Sequence, residues 1–191
     1  ELKSRTGNYT PAKDQLLLPT NYISGAGVPL ADKVLQFIPF DIKGEFIVDR
    51  VSFRLRTARV GGSATIQTAL YGSTDEGYPD LSNKIVESAT DTLSSGADIH
   101  ISMPDTTLVT GRYWLASLYL ETSAPSTAPT IDGISSGVPI GMDAGWLWFN
   151  GAINSPPLHY DAGGQTSFPV GPIPLSFKRA NTRFFALRRK A

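Results

Sequence analysis

The sequence predicts an all-β fold, a jelly-roll-like β-sandwich with long Pro/Gly-rich loops in its C-terminal half. Two observations carry that prediction. Eighteen Gly and fourteen Pro in 191 residues break up every long window before a helical i, i+3, i+4 pattern is sustained, and several short windows alternate with period two. The length suits one unit, since β-sandwiches run to roughly 200–250 residues, and 41% hydrophobic residues supply a core. Residues 1–11 read as an N-terminal connector and residues 12–191 as a single sandwich domain.

The elements follow in order. Lys33 to Phe40 is a weaker strand candidate. In Val51-Ser52-Phe53-Arg54-Leu55-Arg56, the residues Val51, Phe53 and Leu55 share one face and Ser52, Arg54 and Arg56 the other, which predicts a strand with one wet face. Gly61-Gly62 then offers a turn before Ala64, Ile66, Thr68 and Leu70 alternate, so residues 51–70 read as a hairpin. Lys84 to Ser88 is another candidate. Ile99, Ile101 and Met103 form an apolar face, and Pro104 is expected to end that strand by withholding a ladder donor. From Arg112 to Leu120 both faces are apolar or aromatic, so this strand is expected to be covered on both sides. Gly145 to Phe149 and Arg183 to Leu187 bring the count to about eight, the pattern of a jelly-roll-like sandwich. Between Glu121 and Pro174, prolines at 125, 129, 139, 156, 157, 169, 172 and 174 fix φ repeatedly. Long ordered loops that wrap the sandwich or a neighbouring subunit are expected there.

Charge and composition exclude several classes. Seventeen basic residues balance seventeen acidic ones, so no global field attracts nucleic acid or an anionic membrane. No apolar stretch reaches the roughly 18 residues a membrane span needs, so no membrane insertion is expected. The absence of Cys removes disulfides, zinc-thiolate sites and cysteine nucleophiles. The chain starts at Glu1 rather than Met, as a processed protein or an excised domain would.

Candidate chemistry is sparse. Gly133-Ile134-Ser135-Ser136-Gly137 satisfies G-x-S-x-G, with His159 and Asp161 further on. A nucleophile elbow needs a helix after the Ser, whereas Val138-Pro139 and Gly141 follow, and the hydrolase order would put the acid before the His. A Gly/Ser turn is the simpler reading, and no catalytic residue is expected. Asp75, Glu76 and Asp80 gather hard oxygen ligands on one turn, as Ca²⁺ would need, but without EF-hand spacing they read first as a solvated acidic loop. No metal or other cofactor is expected. In Gly145-Trp146-Leu147-Trp148-Phe149-Asn150 the two indoles share a strand face, and sugar rings stack on such platforms. Tyr160, Asn150, Asn154 and Asp161 could add polar contacts to a glycan or a partner; the alternative is that the indoles fill the core or a subunit contact. His100 reads as a surface residue and His159 as a loop residue bonded to backbone. Lys178, Arg179, Arg183, Arg188, Arg189 and Lys190 make the tail basic, for subunit contact or solvation. Asn8-Tyr9-Thr10 is a formal glycosylation sequon.

Three segments together resemble a family of β-sandwich domains of tailed-bacteriophage virion proteins, of the tail, tail-fibre or head-fibre type. They are Asp49 to Ala58, a strand running into a small-residue turn; Ala69 to Pro79, a strand ending in Leu70-Tyr71 before an acidic Gly- and Pro-containing loop; and Thr110-Gly111-Arg112-Tyr113-Trp114-Leu115-Ala116, similar to the family's G-x-YWLA strand. The resemblance covers roughly residues 8–120. It implies a non-enzymatic virion component on an extracellular particle, which contacts other virion proteins or host surface glycans, without nucleic acid. A homo-oligomer follows from such a role, with a trimer favoured because fibres and spikes are commonly trimeric. A carbohydrate-binding module of a secreted glycosidase and a purely structural capsid decoration or collar protein are the alternatives.

Overall fold

A computed structural model describes residues 16–17, 26–93, 98–134, 159–178, 182–183 and 185–190. Among these there is no helix. The strands are β1 (Leu16–Leu17), β2 (Ala26–Pro29), β3 (Val34–Ile42), β4 (Phe46–Thr57), β5 (Ser63–Ser73), β6 (Pro79–Glu87), β7 (Asp98–Leu108), β8 (Gly111–Ser123), β9 (Thr130–Ile134), β10 (His159–Ala162), β11 (Ser176–Lys178), β12 (Thr182–Arg183) and β13 (Ala186–Arg189). Every pairing is antiparallel. One sheet runs β11-β10-β3-β8-β5-β6; the other runs β1-β13-β4-β9-β12, with β7 beside β4 and β2 beside β9. The chain is therefore all-β, two antiparallel sheets making a β-sandwich.

The core follows the alternation. Val51, Phe53 and Leu55 of β4 and Ile99, Ile101 and Met103 of β7 meet Ile38 and Phe40 of β3, Ile66 and Leu70 of β5 and Leu115 of β8 in one cluster between the sheets. Strand β8 lies inside its sheet, between β3 and β5, and is covered on both sides. Its other face places Trp114, Ala116 and Leu118 in a second cluster with Leu35, Phe37, Ala69 and Tyr71. This outer cluster is roofed by the proline-rich stretch 163–175, which contributes Phe168, Ile173 and Leu175. The Tyr71 hydroxyl donates to the Pro169 carbonyl at 2.8 Å. Prolines suit such a strap, because their fixed φ lowers the entropy lost on ordering and they need no ladder donor.

Several local expectations are corrected. The Gly61-Gly62 turn does not close a hairpin. β4 pairs with β7, β9 and β13, while β5 pairs with β6 and β8, so residues 58–62 arch from one sheet to the other. Gly62 has φ of +60°, and a Cβ there would lie 2.5 Å from the Ser123 carbonyl oxygen; only glycine fits. Pro104 does not end its strand. β7 continues to Leu108, with Thr106 opposite Val48 and Ser102 opposite Arg50, so residues 103–105 bulge against Asp49 alone. A bulge has no ladder bond for the missing proline N–H to break. Arg183 to Leu187 splits into β12 and β13, and Gly145 to Phe149 lies outside the described residues.

The basic tail is not simply solvated. Arg188 makes a two-pronged pair with Asp49 and holds its carboxyl below the usual range, chiefly by hydrogen bonding and against the opposing effect of burial. Lys190 pairs with Asp105, Arg189 lies 5.7 Å from the centroid of the Phe46 ring, and Arg183 is buried in the interior.

Candidate functional site

Of the residues proposed for glycan or partner contact, Trp146, Trp148, Asn150 and Asn154 lie outside the described residues, as do Ser135 and the sequon. Tyr160 and Asp161 are adjacent on β10 and so project to opposite faces. They do not share a surface.

Asp161 faces the interior. It accepts a hydrogen bond from the Gln36 side chain at 3.3 Å and lies 3.1 Å from Nε2 of His159. His159 is only 1% exposed; it is a buried strand residue beside a carboxylate rather than the loop residue expected. One register step aligns Asp161, Gln36, Ser117 and Thr68 across four neighbouring strands, giving a polar row on the inner face of an otherwise apolar sheet. The Arg183 backbone N–H donates to Gln36 Oε1 at 2.5 Å. Its Nη1 reaches the Ser117 hydroxyl at 3.1 Å and the Ser117 and Val34 carbonyls at 3.3 Å. Burial pushes the Arg183 pKa down to about 10, with Asp161 acting the other way. This row pins the segment that carries Arg183 to the opposite sheet.

The outer face is different. Tyr160, 8% exposed, packs edge-to-face on Trp114 at 5.5 Å and on Tyr78 at 6.0 Å between ring centroids. Burial raises the Tyr160 phenol to about 12. Tyr78 ends this aromatic ladder and is 43% exposed. Its position is set by the tight connection between β5 and β6. Thr74 N–H donates to the Tyr78 carbonyl at 2.9 Å, Gly77 N–H to the Thr74 carbonyl at 2.9 Å, and Tyr78 N–H to the Thr74 hydroxyl at 3.2 Å. Gly77 takes φ of +85°, a conformation that favours glycine.

Beside this turn lies an open depression of about 500 Å³ lined by Asp41, Ser73, Thr74, Asp75, Glu76, Gly77, Gly111 and Arg112. Register builds it: Asp41 of β3 stands opposite Arg112 of β8, and Arg112 grips both oxygens of Asp41 at 2.7 and 3.1 Å. The Trp114 indole N–H donates to the Ser73 hydroxyl at 3.4 Å, tying the aromatic ladder to the depression wall. The depression presents hydroxyls, carboxylates and a guanidinium held in a fixed plane, and the exposed Tyr78 follows directly on the turn that lines it.

The acidic loop that the sequence singled out thus contributes Asp75 and Glu76 to this depression, whereas Asp80 turns to Ser82, accepting from its N–H at 3.1 Å and its hydroxyl at 2.6 Å. Among the described residues no three potential ligands gather around one point to hold a metal ion. His100 is exposed on β7, 2.9 Å from the Ser52 hydroxyl. Sequence reasoning missed Tyr78, Asp41 and Arg112. A Tyr-Pro after an acidic Gly loop marked Tyr78, but Asp41 and Arg112 are 71 positions apart and only the β3–β8 register joins them. No protein-family model matches the chain, and no curated protein matches it.

Proposed function

We propose that the chain is a non-enzymatic attachment or structural module of a bacteriophage virion, of the tail-fibre, spike or head-fibre type, acting through the end of the six-stranded sheet. The observation that carries the attachment reading is the exposed Tyr78 ring, braced from below by Tyr160 and Trp114, beside the depression of Asp41, Ser73, Asp75, Glu76 and Arg112. Recognition surfaces commonly combine a rigid aromatic with a few placed polar groups. The virion setting is supported by the resemblance over residues 8–120. Two of its three segments, Ala69 to Pro79 and Thr110 to Ala116, supply most of this surface.

Electron microscopy of purified particles labelled with an antibody against this chain tests the reading: label at fibres, spikes or the head is expected, and unlabelled intact particles would sink it. The same surface would also serve a carbohydrate-binding module of a secreted glycosidase. A catalytic domain encoded beside this segment in the parent gene would favour that alternative.

A further inference from the structure

We infer that the depression beside Tyr78 binds uncharged pyranose oligosaccharides and rejects glycans bearing carboxylate, sulfate or phosphate. This rests on the attachment reading and narrows it to one ligand class.

Three properties point to that class. The Tyr78 ring is exposed yet anchored by backbone bonds of its own turn and by the Tyr160 ring, so stacking a sugar C–H face on it costs little ordering entropy. The polar lining offers both hydrogen-bonding senses that a row of hydroxyls needs. Asp75 and Glu76 accept, the Ser73 and Thr74 hydroxyls can do either, and Arg112 donates from a plane fixed by its grip on Asp41. Finally, three carboxylates against one guanidinium leave the depression negative, and that guanidinium is already engaged with Asp41. An anionic sugar would meet unopposed carboxylates within the roughly 8 Å over which charges act at physiological salt. The depression is open rather than enclosed, which suits an internal stretch of a glycan chain lying across it.

The test applies the purified chain to an array of neutral hexose and N-acetylhexosamine oligosaccharides alongside sialylated and sulfated counterparts, and to bacterial cell envelopes in a sedimentation assay. Binding to neutral glycans is expected, with Tyr78→Ala weakening it by about tenfold or more, Tyr78→Trp restoring it, and Val60→Ser at the opposite end of the sheet leaving it unchanged. Thermal melting of Tyr78→Ala should fall only slightly, because the residue is 43% exposed and gives up chiefly its ring contact with Tyr160. The double variant Asp75→Lys with Glu76→Lys should lose discrimination against the sulfated probes. Preference for anionic glycans, or full binding by Tyr78→Ala, overturns the inference; if envelope binding survives in that case, the attachment reading stands through another surface. No sedimentation with any envelope by the parent chain removes the attachment reading and this inference with it.

Discussion

Arg183 puts a guanidinium where a sandwich core is ordinarily apolar. Its Nε has no hydrogen-bond partner among the described residues, while Nη1 serves two carbonyls and a hydroxyl. Burying a charge is costly unless its polar atoms are satisfied, so the contacts that remain are needed to hold β12 in place. Arg183→Ala would leave a cavity and strip those acceptors of their donor, lowering stability by about 2–4 kcal/mol in urea unfolding. Arg183→Met, which fills much of the volume and removes the desolvated charge, should cost less; equal losses would show that the lost polar contacts, not the filled volume, carry the effect. Gly62→Ala is expected to cost about 1–3 kcal/mol in the same assay, since it meets both a positive φ and a backbone oxygen. Neither effect can be read locally. A sequence shows Arg183 as one more cation in a basic tail, and its burial follows only from Gln36 and Ser117, 147 and 66 positions away.

Elements were more legible than single residues where alternation was strong. β4, β5 and β8 announce themselves through period-two patterning, and the two-sided burial of β8 follows from its unbroken apolar and aromatic run. Where prolines intervene, local rules mislead. Pro104 sits in a bulge that no period-two pattern displays, and Gly61-Gly62 looks the same in an arch between sheets as in a hairpin. The strap at 163–175 is the reverse case: proline density suggests long loops from 121 to 174, whereas β9 and β10 lie in that range and the face that 163–175 covers could not be read from it. The strap should behave as a detachable cover. Tyr71→Phe, which removes the bond to Pro169, is expected to cost about 1 kcal/mol. Phe168→Ala should cost about 2–4 kcal/mol and open the strap to limited proteolysis. If the strap stayed resistant in Phe168→Ala, its anchorage would lie elsewhere.

The whole molecule carries a titration signature in its buried phenols. Burial raises Tyr71 far above 10 and lifts Tyr119 and Tyr160 to about 12. Each folded-state value exceeds the unfolded one, so these groups contribute stability that is fully present below pH 10. It is lost as pH rises from there toward 12, where the unfolded chain sheds phenolic protons that the fold retains. Urea midpoints should therefore fall steeply above pH 10. The ultraviolet absorbance of ionised tyrosine should rise in two stages, exposed rings first and the buried ones only with unfolding; a single early stage would contradict the burial. Of the candidate site, the acidic loop and Tyr160 were visible in the sequence, but the loop's meeting with Arg112 and Asp41, and that of Tyr160 with Trp114, depend on register between strands. No short window contains that information.

The passage of the chain back and forth between the two sheets also sets the order in which the protein can be made. β4 has β7 along one flank, but part of its other flank is completed by Ala186–Arg189, and β3 is flanked by β8 and by β10 from residues 159–162. Strands synthesised early thus wait with open hydrogen-bonding edges for partners more than a hundred residues further along the chain. Folding should be slow, in the millisecond-to-second range typical of non-local β topologies. During that interval the exposed edge of β4 is the place where one nascent chain can capture β13 of another.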